Sequence, residues 1–394
     1  MPAVAGGGAM LRAVICASAL AMTLVDGASA QEPLKIGLIQ SLTGPFSTVG
    51  KAAVNGAHLY VQRHGDVVAG RRVELVVSDD ASAPDRAKRT AQEMIVNDRV
   101  AIVCAGITPS ALAIAPLVTE AKIPTVVMVS GASITVERSP YMVRTSFTLG
   151  QSSTVMADWV AQNGARKIVT IVNEWAPGLE SETEFKNRVA TSNARIVDSL
   201  RMPLANPDFA PFLQRARDLG PDTLFVFPAN QAAIFAKQFL ERGMDKSGIR
   251  LVGTGDLTDD DELPGMTDAA LGIITAHHYS ALHDSQLNRT FVEAFQAAYG
   301  RRPNYHSVAG YDGMHLIYEA LKKTSGNVDG NALVAAMKGM SWESPRGPIS
   351  IDPETRDIVQ NEYIRRVERV NGQLYNVEFA TIEAVKDPMK AAKK

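Results

Sequence analysis

His277, His278 and His283 form the one local histidine cluster of the chain, and four successive carboxylates stand at Asp259-Asp260-Asp261-Glu262. Either group invites a metal. Neighbouring residues on a strand point to opposite faces, so His277 and His278 do not readily share an ion, and the spacing matches no common zinc site. The acidic run lacks the spaced oxygens of a calcium loop and reads as a solvated loop or helix start. There is no G-x-S-x-G elbow for a hydrolase nucleophile and no Walker A loop. Gly253-Thr254-Gly255 begins a dinucleotide fingerprint, but Leu257 and Thr258 follow where the third glycine belongs. The chain is therefore expected to hold no metal or cofactor and to catalyse nothing. A net charge of −2 argues against a dedicated nucleic-acid surface.

What remains is a set of small, hydroxylated loops. They are Ser41-Leu42-Thr43-Gly44-Pro45-Phe46, Ala105-Gly106-Ile107-Thr108-Pro109-Ser110 and Ser130-Gly131-Ala132-Ser133. Backbone N–H groups in such loops, beside helix N-termini, receive a carboxylate. Helix capping by Ser and Thr is the blander use of the same residues. Three such loops in one unit, with no phosphate motif, point to a small carboxylate ligand.

These loops need elements to hold them. Apolar runs at Leu34–Gln40, Val73–Ser78, Ala101–Cys104 and Thr125–Val129 alternate with helical periodicity at Gly50–His64, Asp85–Asn97 and Ser110–Ala121. That alternation predicts a parallel sheet covered on both faces by helices, with the loops at the carboxyl ends of its strands, where ligands bind. A second unit follows. Its strands are expected at Lys167–Val172, Arg195–Leu200, Thr223–Phe227, Arg250–Gly253 and Gly272–Ala276. Its helices are expected at Ser152–Gly164, Glu182–Thr191, Phe209–Asp218 and Gln231–Arg242. Further helices are predicted at Gln286–Tyr299, Val308–Thr324 and Asn331–Met340. Strand-like runs Ile349–Ile351, Glu362–Val370 and Leu374–Ile382 come last, the final two joined as a hairpin by Asn371-Gly372-Gln373. No flexible linker separates the units, so short hinges are expected.

The N-terminus reads as a secretory signal. An apolar run, Ala13 to Val25, follows Arg12 and is shorter than the ~20 residues a membrane span needs. Ala28-Ser29-Ala30 supplies a cleavage site, which predicts a mature chain starting at Gln31 in the periplasm. Removing 30 residues from 394 leaves 364, enough for two domains. Cys104 is then the remaining cysteine, so no internal disulfide is possible.

Five segments in order resemble the leucine/isoleucine/valine-binding family, the type I periplasmic binding proteins of ABC importers. LKIGLIQSLTGPFSTVGKAAVNGA is similar to its opening strand, turn and first helix, and ELVVSDDASAPDRA to its second strand and acidic loop. SPYMVRTSFT resembles its first hinge. AGYDGMHLIYEAL and SPRGPISIDPETRD resemble its closing helix and returning strand. The chain departs from the family at Ser82, where members often carry a disulfide cysteine. Its segments PDFAPFLQRARDLGPDTLFVFP, GDLTDDDEL and TAHHYSALHDS resemble relatives grouped with binders of aromatic acids.

The resemblance implies an α/β fold of two Rossmann-like lobes joined by three crossovers near Arg144–Thr145, His278–Tyr279 and Gly347–Pro348. It places 31–145 with 279–347 in one lobe, 146–278 with 348–383 in the other, and 384–394 in a tail. It implies a pocket of Val49, Thr108, Ser130, Ala132 and Ser133 on one side and Trp175, Phe227, Asp256 and His278 on the other. Thr108 and Ser130–Ser133 would hold the carboxylate. Asp256 either faces the cleft as the partner of an amino acid's ammonium or turns away to cap the loop at Asp259. The implied role is capture of a branched-chain or hydrophobic amino acid by a monomer that docks on a membrane ABC permease. An aromatic or aliphatic monocarboxylate is the alternative ligand, and a ligand-sensing receptor module the alternative role.

Overall fold

A computed structural model describes residues 32–204 and 208–391. The signal segment read at 1–30 and its Ala28-Ser29-Ala30 site lie outside the described residues.

Two sheets organise the chain. The first holds β1 (Leu34–Gln40), β2 (Val67–Val68), β3 (Arg71–Asp79), β4 (Ile102–Ala105), β5 (Thr125–Val127) and β6 (Met142–Arg144), in the order β2-β3-β1-β4-β5-β6. All its neighbours are parallel except the short β2 against β3. The second sheet holds β7 (Lys167–Asn173), β8 (Arg195–Met202), β9 (Thr223–Phe227), β10 (Arg250–Thr254), β11 (Ile274–His277), β12 (Ser341–Ser344), β13 (Gly347–Ile351), β14 (Ile358–Val370) and β15 (Gln373–Val385). Its order is β12-β13-β14-β11-β10-β9-β7-β8, with β15 paired to β14. From β8 to β11 it is parallel, and β14 joins antiparallel. Strands such as β9, sequence TLFVF, are buried along their whole length. Helices cover both faces, so such strands are continuously apolar.

The two parallel portions share one strand order. β1 sits between β3 and β4, and β7 sits between β8 and β9. At these points successive crossovers go to opposite sides, leaving a crevice at the strands' carboxyl ends. After β6 the helix Leu149–Gln162 packs on strands of the second sheet. After β11 the helices Gln286–Tyr299 and Tyr305–Lys323 pack on the helix Ser47–His64 beside the first sheet. β12 and β13 then rejoin the second. The chain thus passes three times between the two sheets.

The passes are tied together by a buried arginine. Arg346 donates to the carbonyls of Thr145 at 2.6 Å and Ser146 at 3.1 Å, and pairs with Asp312 at 2.9 Å. The next residue, Gly347, has φ 93°, and a Cβ there would stand 2.5 Å from the Tyr363 hydroxyl. No other residue fits without displacement.

Four elements differ from the sequence expectation. The helix expected from Glu182 starts at Ala176, with Pro177 in its first turn, a start signal that periodicity alone overlooks. The helix Pro84–Glu93 ends in a π-helical turn, Met94–Asp98, closed by Arg99 in the left-handed region. β6 and β12, three and four residues long, are too short for a periodic signature. The expected hairpin forms, with Asn371 and Gly372 both at positive φ between β14 and β15.

Candidate ligand-binding cleft

A cleft opens at the carboxyl ends of the parallel strands of both sheets. Phe46 and Val49 follow β1, Thr108 follows β4 and Ser130 follows β5. Trp175 follows β7, Phe227 is the last residue of β9 and Asp256 follows β10. Each wall is therefore built by loops after the corresponding strands of its own sheet. Tyr305 and His306, at the start of the helix Tyr305–Lys323, complete the lining.

Six of the nine residues expected in the pocket line this cleft: Val49, Thr108, Ser130, Trp175, Phe227 and Asp256. Three do not. Ala132 is buried with its carbonyl accepting from the Arg144 guanidinium at 2.7 Å, which turns that part of the loop inward. Ser133 opens a 3₁₀ turn; its amide donates to Glu180 at 2.8 Å and its hydroxyl to Asp387. His278 lies wholly buried, its ring stacked on Phe147 at 5.4 Å, so the phenyl separates it from the cleft.

The aromatic lining is wider than the sequence indicated. Phe46 and Trp175 come from different sheets and stack at 5.5 Å with 16° between their planes. Phe147 and Tyr305 meet edge to face at 5.4 Å. Phe46 sat inside a loop already singled out. Asn304, a side-chain cap for the helix behind it, was the readable signal for Tyr305 and His306.

The polar chemistry divides between the walls. Thr108 and Ser130 share a hydroxyl hydrogen bond of 2.7 Å, and Ser130 shares another with Thr135 at 2.8 Å. The helices Thr108–Glu120 and Ala176–Val189 both begin at the cleft, and neither has a side-chain cap. Their first amides present a positive end to it. Asp256 neither faces the cleft unengaged nor caps the loop at Asp259. Its Oδ2 accepts from the Thr254 hydroxyl at 2.8 Å and its Oδ1 from the Tyr305 hydroxyl at 3.1 Å, and burial pushes its carboxyl up.

The acidic run is a helix start, with Glu262 standing just before the short helix Leu263–Met266, but it is not a solvated loop. Asp259 and Asp260 are buried, because cationic and amide partners stand opposite them. Asn304 donates to Asp259 at 3.2 Å, Arg302 pairs with Asp260 at 2.9 Å, and Arg301 with Asp261 at 3.0 Å. Burial first, and Asp259 second, push the Asp261 carboxyl up to about 7. Asp259, Asp261 and Glu262 line the cleft, yet no lysine or arginine does among the described residues. Among those residues no histidine, cysteine and carboxylate group is arranged to hold a metal ion.

Residues 33–373 match the periplasmic binding protein family. Over 383 residues, 95% of this chain and 98% of the relative, the sequence is 40% identical to the Leu/Ile/Val-binding protein homolog 6 of Brucella suis biovar 1 (strain 1330). A solute binding protein of an ABC transporter from Rhodopseudomonas palustris BisB5, solved in complex with 3,4-dihydroxy benzoic acid, is 57% identical. The match covers 91% of this chain and 99% of that one at a TM-score of 0.88. A second, from Rhodopseudomonas palustris HaA2 in complex with p-hydroxybenzoic acid, is 40% identical, covering 92% and 100% at the same TM-score. The fold is that of the type I periplasmic binding proteins.

Proposed function

The chain belongs to the periplasmic binding protein family, and from that premise we propose that it is the exported, ligand-capturing component of an ABC importer whose cleft takes a small aromatic carboxylate. The observation that carries the ligand class is the state of Asp256. An amino acid brings an ammonium, and burying it without an anion costs several kcal/mol. Asp256 is the carboxylate in the expected place, but both its oxygens are engaged by Thr254 and Tyr305, and burial disfavours its ionised form. A ligand without an amine makes no demand on it. Its carboxylate is received by the Thr108 hydroxyl and the amides of uncapped helix starts, and its ring by Phe46 and Trp175. Two relatives bound to hydroxybenzoic acids support the same reading.

The N-terminal segment Met1–Ala30 supports export to the periplasm, and the family supports a membrane permease as partner. Capture by hinge closure near residues 144–145, 278–279 and 347–348 fits the three passes of the chain. The Brucella relative's name favours a second reading, a branched-chain amino acid. A thermal-shift screen separates the two, since a ligand that binds only the folded state raises the melting temperature by mass action. p-Hydroxybenzoate and 3,4-dihydroxybenzoate should raise it, and leucine, isoleucine and valine should not. The reverse pattern would restore the amino-acid reading.

A further inference from the structure

His306 lines the cleft but is only 4% exposed, and its Nδ1 has no hydrogen-bond partner in the protein. Its position is fixed twice over. Its backbone amide donates to the Asn304 side chain at 3.1 Å, and Asn304 is itself anchored to Asp259 and Asp261. Its ring lies 4.0 Å from that of Tyr305. Burial pushes the imidazole down to about 3, so the ring stays neutral and carries one donor and one acceptor. A preorganised imidazole at the wall of a binding cleft penalises a ligand that offers it no hydrogen-bond partner once water is expelled. Such a site discriminates strongly against an analogue that lacks the matching group. We propose that His306 reads a hydroxyl on the ligand's ring and makes the protein select hydroxylated aromatic acids over the unsubstituted acid. The inference rests on the aromatic-carboxylate reading above and adds the group that sets specificity within it.

The test compares dissociation constants for benzoate, m-hydroxybenzoate and p-hydroxybenzoate by calorimetry, in the native protein and in His306→Phe and His306→Gln. In the native protein the better hydroxybenzoate should bind at least about tenfold more tightly than benzoate. His306→Phe keeps a planar ring and removes both nitrogens. It should lower that preference to roughly threefold or less, with the hydroxybenzoate losing more affinity than benzoate does. His306→Gln, which restores a donor and an acceptor, should recover part of the preference. Equal native affinities would overturn the proposal. So would a fall of both ligands by the same factor in His306→Phe, the mark of a packing role. If no aromatic acid binds the native protein, the parent reading fails instead.

Discussion

Asp79 hangs the turn that carries Phe46 on a neighbouring strand. Its carboxylate accepts from the amides of Leu42 at 2.8 Å and Thr43 at 3.1 Å, and from the Thr43 hydroxyl at 2.6 Å. Burial alone would push this carboxyl up, yet these bonds and the Ala81 amide hold it at about 2. The acidic loop recognised in the sequence is therefore a support for the cleft and not part of its lining. On the opposite wall the carboxylates run the other way, with Asp256, Asp259, Asp261 and Glu262 all raised, chiefly by burial. Below about pH 7 Asp261 is mostly protonated, and above it a negative charge accumulates at the cleft. An anionic ligand should thus bind more weakly as pH rises from about 6 to about 8, by up to roughly tenfold. A zwitterion that needs an anionic partner would do the opposite. Calorimetry with p-hydroxybenzoate across that range checks the sign, and tightening with pH would argue for an amine-bearing ligand.

The loop at Ser130–Ser133 shows how an element can be read correctly and used differently. Small, hydroxylated residues after β5 were legible, and Ser130 does line the cleft. Ala132 and Ser133 were not separable from it, because their orientation depends on Arg144 and on Glu180 and Asp387, the last two distant in sequence. Glu180 receives the Ser133 amide at 2.8 Å, while burial pushes its carboxyl up to about 7. A carboxyl raised in the folded state weakens that state as pH climbs from about 4.5 through 7, because the unfolded chain ionises first. Glu180→Gln keeps the acceptor oxygen and removes the charge. It should raise the unfolding free energy at pH ~8 by on the order of 1–3 kcal/mol and leave it nearly unchanged below pH ~4.5. Denaturant unfolding of both proteins at the two pH values measures this. A variant less stable at the higher pH would mean that the ionised Glu180 is a favourable partner of Ser133.

At the scale of the molecule, the strand–helix rhythm was enough to place both parallel sheets and to set the cleft at their carboxyl ends. Periodicity reports which residues are buried, and fully buried strands such as β9 have no other pattern available. The cleft's polar logic was less accessible. Whether Asp256 is free or engaged depends on Tyr305, which is 49 residues away in sequence and donates to it directly. The orphaned nitrogen of His306 has no sequence signature at all. Both walls must meet the ligand for these groups to act together, so the proposed capture predicts that closure accompanies binding. Small-angle scattering of the purified protein, alone and with saturating p-hydroxybenzoate or leucine, tests this most directly. A smaller radius of gyration is expected with p-hydroxybenzoate and an unchanged one with leucine. Contraction with leucine and not with p-hydroxybenzoate would contradict it.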